Sequence, residues 1–225
     1  MKFKRIAQVA TLAAAALLAT GANRMNWDAT VVETDGGHRI GNPDAKVQLT
    51  EYISYTCPHC AQFARAGEPR LKVGYLMEGK VSLEIRHLIR DPIDLTAAML
   101  VNCGTAAKFP QNHLAFMLGQ DKWIKPLTSP SAAQEARWRT PGAAGRRAIA
   151  GDFGFYKLMQ GRGYSRTAAD RCLADEARAA KLAATSAADW RRPGVSGTPA
   201  FAINGKVLPD THSWEALEPQ IKGSL

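Results

Sequence analysis

The chain has 225 residues, 46% hydrophobic and 22% charged, and its 29 Lys and Arg against 20 Asp and Glu give a formal net charge of +9. That balance is ordinary for a soluble globular protein of one or two domains. It excludes a disordered chain, a collagen and a multi-span membrane protein, and four cysteines are too few for a disulfide-dense small scaffold.

Residues 1–22 have the pattern of a cleavable secretory signal peptide. Lys2, Lys4 and Arg5 form a basic start. Ile6 to Ala19 is uncharged and mostly Ala and Leu, and Thr20, Gly21 and Ala22 supply the small residues of a cleavage region. The apolar run is shorter than the roughly 20 residues that span a bilayer, so cleavage is expected over anchoring. No cysteine lies near the cleavage region, which argues against a lipoprotein. Loss of the three N-terminal positive charges leaves a net charge of +6. All four cysteines stay, in a compartment where disulfides persist.

Residues 23–37 read as a polar tail ending at Gly36 and Gly37, and 38–41 as a short edge strand before the Asn42-Pro43-Asp44 turn. Val47, Leu49 and Ile53 alternate along a strand over 47–54, and Val81, Leu83 and Ile85 along a second over 81–89. Between them a helix is predicted from Pro58 to about Met77, interrupted at Gly67 and Pro69. A strand, helix and strand of this length suit a parallel crossover. From 94 to 190 the Ala-rich stretches 95–107, 111–119, 132–138, 143–149, 166–174 and 175–190 predict a helical block, least sharply over Ser129 to Arg147. Strand signals return at Ala200 to Ile203, followed by the hairpin dipeptide Asn204-Gly205 and Lys206 to Leu208. Ser213 is a good N-cap for a last helix reaching about Lys222. The chain thus divides into a βαβ half at 38–93, an all-helical insert at 94–190 and a ββα half at 191–225.

Cys57-Pro58-His59-Cys60 follows the first predicted strand and opens the helix. Cys57 falls at the N-cap and Pro58 at the first helical position, where a missing N–H costs nothing. A thiolate at Cys57 would accept N–H bonds from the first turn at the positive end of the helix dipole, and a protonated His59 would add positive charge. Cys60 is close enough to close a disulfide with it. The pattern predicts thiol–disulfide exchange, with Cys57 attacked and Cys60 resolving. A purely structural disulfide and half of a zinc site are the alternatives. Zinc needs further ligands, yet there is no second CxxC, and His38, His87, His113 and His212 lack ligand spacing, so no metal is expected. Gly197-Thr198-Pro199 precedes the later strand, where an X-Pro bond in a tight turn tolerates the cis form. If Thr198–Pro199 is cis beside Cys57, Thr198 can offer its backbone to an extended substrate.

These two motifs, the domain order and the signal peptide resemble the DsbA-like family of exported thiol–disulfide oxidoreductases of the thioredoxin superfamily. The resemblance covers roughly residues 38–225. It implies an α/β thioredoxin fold with an inserted helical domain. It implies a periplasmic monomeric dithiol oxidase that donates the Cys57–Cys60 disulfide to folding exported proteins with free thiols. Its partner would be a DsbB-like, quinone-linked membrane reoxidant, and it would need no cofactor beyond the redox-active disulfide. It also implies that Glu51, six residues before Cys57, lies beneath the disulfide and relays protons to Cys60. Burial on a core strand would raise the pKa of such a carboxyl, the alternative being a Glu on the solvent face. Thr198 departs from the best-known oxidases, which carry Val there. It resembles the isomerase branch, although Thr also occurs among DsbA-like relatives of this length. A disulfide isomerase or reductase, and a non-catalytic peptide-binding module, are therefore the alternative functions. Against the isomerase, residues 23–37 are too short for that branch's dimerisation domain.

An even cysteine count in an exported chain favours a structural disulfide between Cys103 and Cys172, with two separate buried thiols as the alternative. Arg137, Arg139, Arg146, Arg147, Arg191 and Arg192 read as a solvated helical face, and nucleic acid is not expected. Met77, Met99, Met117 and Met159 read as core packing, and the scattered Trp residues as core or insert filling.

Overall fold

The computed structural model describes residues 26–225, so the expected signal peptide lies outside the described residues. Six strands, β1 Val31–Glu33, β2 Gly37–Gly41, β3 Val47–Ile53, β4 Val81–His87, β5 Ala200–Ile203 and β6 Lys206–Leu208, form one sheet in the order β1-β2-β4-β3-β5-β6. β3 runs parallel to β4 and antiparallel to β5. The remaining neighbours pair antiparallel.

β1 lies in the segment read from sequence as a tail. Three residues give little periodic signal alone; pairing of Val31, Val32 and Glu33 with Ile40, Arg39 and His38 makes them a strand. Gly37 belongs to β2 because the backbone approaches β4 too closely for a side chain: a Cβ there would lie 1.9 Å from the Ile85 carbonyl oxygen.

Strand side chains alternate between faces. Val47, Leu49, Glu51 and Ile53 of β3, Leu83 and Ile85 of β4, and Phe201 and Ile203 of β5 share the main core. The opposite face holds a smaller cluster of Tyr52, Ala200 and Ala202 with Leu88 and Val195. The helix after β3 is broken as Gly67 and Pro69 predict, into α1 Pro58–Ala66, α2 Glu68–Leu71 and a wider π-type turn over Lys72–Leu76. At the far end of the sheet, Asn204 at φ 50° and Gly205 at φ 83° form the tight hairpin between β5 and β6.

Eight helices fill the insert: α3 Pro92–Val101, α4 Phe109–Leu118, α5 Gln120–Trp123, α6 Ala132–Trp138, α7 Gly142–Asp152, α8 Phe155–Gly161, α9 Arg166–Leu173 and α10 Glu176–Trp190. Their starts are legible as caps. Asp91, Ser131, Ser165 and Asp175 each accept the backbone N–H of the third helical residue, and Ser131 closes a full capping box with Gln134. The last helix, α11 Trp214–Ser224, is capped by Ser213 in the same way. α8 has no counterpart among the Ala-rich stretches. It lies between Gly154 and Gly161 and is held by aromatic packing, with the Phe155 ring 5.1 Å from those of Phe116 and Trp123.

Met99, Met117 and Met159 are buried, but Met77 is 50% exposed and is not core. It caps the π-type turn that ends at Leu76. Of the arginines read as a solvated face, Arg137 pairs with Asp152, Arg139 with Glu135, Arg147 with Asp170 and Arg192 with Asp189, whereas Arg146 is buried, bonded to Glu176 and the Leu173 carbonyl, and so is not part of that face. Asp189, fully buried, also receives both Nε and Nη2 of Arg86 at 2.7 and 3.0 Å, which fixes α10 to β4.

Cys103, just past α3, is joined to Cys172 of α9 in a disulfide across 69 positions, with Cα atoms 5.7 Å apart. Closing a loop of that length restricts the unfolded chain. The double substitution Cys103→Ala and Cys172→Ala is expected to lower stability by about 2–4 kcal/mol, read from denaturant unfolding of both proteins.

Candidate active site

β3 ends at Ile53, and the chain turns through Ser54, Tyr55 and Thr56 into α1. Cys57 is the N-cap, extended at φ −90° and ψ 119°, and Pro58 takes the first turn of the helix. Both Cys57 and Cys60 are free thiols, 3% and 1% exposed. Position and burial drive their acidities apart. The hydrogen bond from Cys60 does most to lower the pKa of Cys57, to about 5; the Thr198 side chain and the backbone N–H groups of Cys60 and His59 add to it, against the desolvation that opposes it. Burial pushes Cys60 well above the ordinary thiol range, and its hydrogen bond to Cys57 pushes it further. The first group is a good leaving thiolate and the second a reluctant one.

The Thr198–Pro199 bond is cis. It brings the Thr198 carbonyl oxygen to 3.1 Å from Cys57 Sγ, which donates to it when protonated. Pro199 is buried, while Thr198 and Gly197 are half-buried, and a Cβ at Gly197 would meet nothing within 4 Å. Nδ1–H of His212 donates to the Pro199 carbonyl at 2.7 Å. His59 is exposed and borders a groove of about 340 Å³ together with Phe63, Trp214 and His212.

Glu51 lies inside. Its strand position is in phase with Val47, Leu49 and Ile53, opposite Ile85 and Phe201 in the sheet register, so its carboxyl enters the main core. Both carboxyl oxygens are buried without a hydrogen-bond partner. Desolvation, aided by the nearby Glu68, raises its pKa well above the usual carboxylate range. Glu51 in turn helps to raise Cys60. Glu68 continues outward, 2.9 Å from His113 Nε2, and His113 Nδ1 lies 3.0 Å from the Tyr55 hydroxyl.

The insert supplies site residues that no motif announced. Asp94 accepts from the Ser54 hydroxyl at 2.6 Å, the Tyr55 N–H at 2.8 Å and the Arg90 N–H at 3.1 Å, and burial raises its pKa to about 7. Gln120 reaches in from α5 to the Tyr55 and Cys57 carbonyls. None of them was singled out from the sequence; the cap that Asp91 forms at the start of α3 is the local pattern nearest to them. Among the described residues no three His, Cys, Asp or Glu side chains come together to hold a metal ion, and no helix is long and apolar enough to cross a membrane.

Residues 33–223 match the family model described as Thioredoxin. The chain belongs to the thioredoxin family. Within it the likeness is to proteins named for protein-disulfide chemistry. A crystal structure of protein-disulfide isomerase from Novosphingobium aromaticivorans shares 44% identity with a TM-score of 0.81, covering 85% of this chain and 98% of that one. That of Wolbachia pipientis alpha-DsbA1 shares the fold at 23% identity and a TM-score of 0.61, over 82% and 88% of the two chains. A Rickettsia conorii protein named as a protein-disulfide oxidoreductase is 31% identical over 187 residues, 83% of this chain. This chain spans 59% of that relative's length.

In this thioredoxin-family site Cys57 bonds to the Thr198 carbonyl, and the Thr198 side chain helps to lower its pKa. Thr198→Val removes the hydroxyl alone, and the Cys57 pKa is expected to rise by roughly half to one unit, read from thiolate absorbance against pH. Glu51 carries a stability cost with a defined sign. Its folded pKa is raised, so its contribution is fully present below the unfolded value of 4.5 and is lost as pH rises through the folded value. Glu51→Leu is therefore expected to be more stable than the parent at neutral pH, by about 1–3 kcal/mol, with the difference shrinking in acid. Denaturant unfolding at a series of pH values measures this.

Proposed function

We propose that this chain is an exported dithiol oxidase that donates the Cys57–Cys60 disulfide to folding proteins with free thiols. The observation that carries the reading is the opposed acidity of the two sulfurs, Cys57 near 5 and Cys60 well above the ordinary thiol range, at one helix N-terminus. Stabilising the Cys57 thiolate favours the reduced pair, which makes the disulfide a stronger oxidant. The likeness to a protein-disulfide isomerase at 44% identity and to a protein-disulfide oxidoreductase at 31% supports thiol–disulfide exchange.

The steps balance within the site. A substrate thiolate attacks Cys57 Sγ; the Cys57–Cys60 bond breaks, and its electron pair leaves on Cys60, which takes a proton from Glu51. A second substrate thiolate then attacks the substrate sulfur of the mixed disulfide. Cys57 departs as a thiolate, the substrate gains a disulfide, and two electrons stay on the enzyme. Pro58 starts the helix whose N–H groups face Cys57, and a protonated His59 would add positive charge beside it. Gly197, Thr198 and Pro199 would receive the extended backbone of the substrate. Cys60 attacks Cys57 to release a trapped substrate. Reoxidation passes the electrons to a DsbB-like, quinone-linked membrane partner. The working place is the periplasm and the working form a monomer.

A disulfide isomerase or reductase is the second reading. It is favoured by Thr198 before the cis-proline and by the likeness to the protein-disulfide isomerase from Novosphingobium aromaticivorans. Refolding of a scrambled-disulfide substrate without added oxidant separates the two, since fast reshuffling belongs only to the isomerase.

Titration of the reduced protein is expected to place Cys57 near 5. Above that pH, and up to the ordinary thiol range, equilibrium with glutathione should shift towards reduced enzyme by about tenfold per pH unit. A Cys57 titration near the free-thiol value of about 8.5 would overturn the oxidase reading. Cys57→Ala is expected to abolish oxidation of a reduced peptide, and an unchanged rate would leave only the non-catalytic binding module.

A further inference from the structure

Gln120 is 4% exposed, at the start of α5 in the insert. A buried primary amide is costly unless its N–H groups are used. Its Nε2 donates to the Tyr55 carbonyl at 2.6 Å and to the Cys57 carbonyl at 2.9 Å. These two carbonyls flank Thr56 in the turn that delivers the reactive cysteine. The Cys57 carbonyl also accepts the Ala61 N–H at 3.3 Å, the first backbone bond of α1. Gln120 is therefore a second donor on the oxygen that sets the Cys57 peptide plane.

The other side of the same turn is held from the insert too. Asp94 takes the Ser54 hydroxyl and the Tyr55 N–H, and Asp91 takes the Thr56 hydroxyl at 2.8 Å. The Cys57 N–H is used locally, on the Ser54 carbonyl at 3.2 Å. Residues 54–57 are thus gripped between α3 and α5, and Gln120 is the contact that reaches Cys57 itself.

We infer that Gln120 is a positioning residue for Cys57, acting through the Tyr55 and Cys57 carbonyls to keep the sulfur aimed at the helix N-terminus and the Thr198 carbonyl. It couples the helical insert to the reactivity of the cysteine. The physical route is direct. With the carboxamide removed, the Tyr55 carbonyl loses its bond to the insert and the Cys57 carbonyl keeps only its bond within α1. The Cys57 peptide plane is then held from one side only, and the N–H groups of His59 and Cys60 align less well with the sulfur. Hydrogen bonds to charged groups depend strongly on such alignment. The negative carbonyl oxygen beside the thiolate also loses a compensating donor.

The inference rests on the thiol-exchange reading of the site, and the test separates the two. The Cys57 titration of the parent protein tests the reading; the difference between parent and variant tests the inference. Gln120→Met keeps length and apolar contact but has no donor. Its Cys57 pKa is expected to rise by about one unit, and its equilibrium with glutathione to shift several-fold towards the disulfide. An unchanged pKa and glutathione equilibrium, whatever the melting temperature, would overturn the inference and leave Gln120 a packing residue. If the variant does not fold, the parent protein answers. The Gln120 side-chain amide resonances are expected to move with the titration of Cys57, and resonances that stay fixed through it overturn the proposal.

Discussion

The constraint on which this molecule depends is where negative charge is allowed to rest inside a nearly dry site. Cys57 and Cys60 are both buried, and burial alone would disfavour a thiolate at either position. What distinguishes them is hydrogen bonding. Cys57 sits at the open end of α1, where N–H groups have no intrahelical partner and a cis-proline loop adds the Thr198 side chain. Cys60 lies one turn in, among apolar groups and close to a second reluctant ion, Glu51. The sulfur pair is thereby polarised before any substrate arrives. The rest of the fold serves to hold that N-terminus, that loop and that carboxyl in register.

The sheet does this through β3. It carries Glu51 on its inward face and launches the turn to Cys57, while its antiparallel neighbour β5 follows directly from Pro199. Motif and loop, 141 positions apart, are brought together by the β3–β5 pairing. The insert closes the arrangement from the side. Asp91, Asp94 and Gln120 grip the turn before α1, the Arg86–Asp189 bond fixes α10 to β4, and the Cys103–Cys172 disulfide ties α9 to the end of α3. A domain that looks from its composition like a covering of Ala-rich helices is thus bonded to the reactive centre.

Much of this was legible because it is local. Cys57 as N-cap, Pro58 at the helix start, the interruption at Gly67 and Pro69, the Asn204-Gly205 hairpin and the Ser213 cap each follow from the backbone preferences of a few adjacent residues. The phase of Glu51 with Val47, Leu49 and Ile53 was equally local, though strand periodicity alone leaves open which face is buried. β1 and α8 were not legible. One is a three-residue edge that exists through pairing with β2, and the other a glycine-bounded aromatic segment held by Phe116 and Trp123. Met77 misled because a helical spacing says nothing about how far the helix stays in contact with its neighbours.

By itself, the sequence determined which chemistry this chain carries: a CxxC pair at a helix start, a proline loop, and a carboxyl on the strand between them in the fold. Such features are written in residue type and short-range spacing. Only the tertiary structure decided the electrostatics: that Thr198–Pro199 faces Cys57, that both Glu51 oxygens lack partners, and that Gln120 spans to the Cys57 carbonyl. Those outcomes depend on distances between segments far apart in the chain. A pKa is set by what lies within a few ångströms, and no local pattern records which distant side chain arrives there.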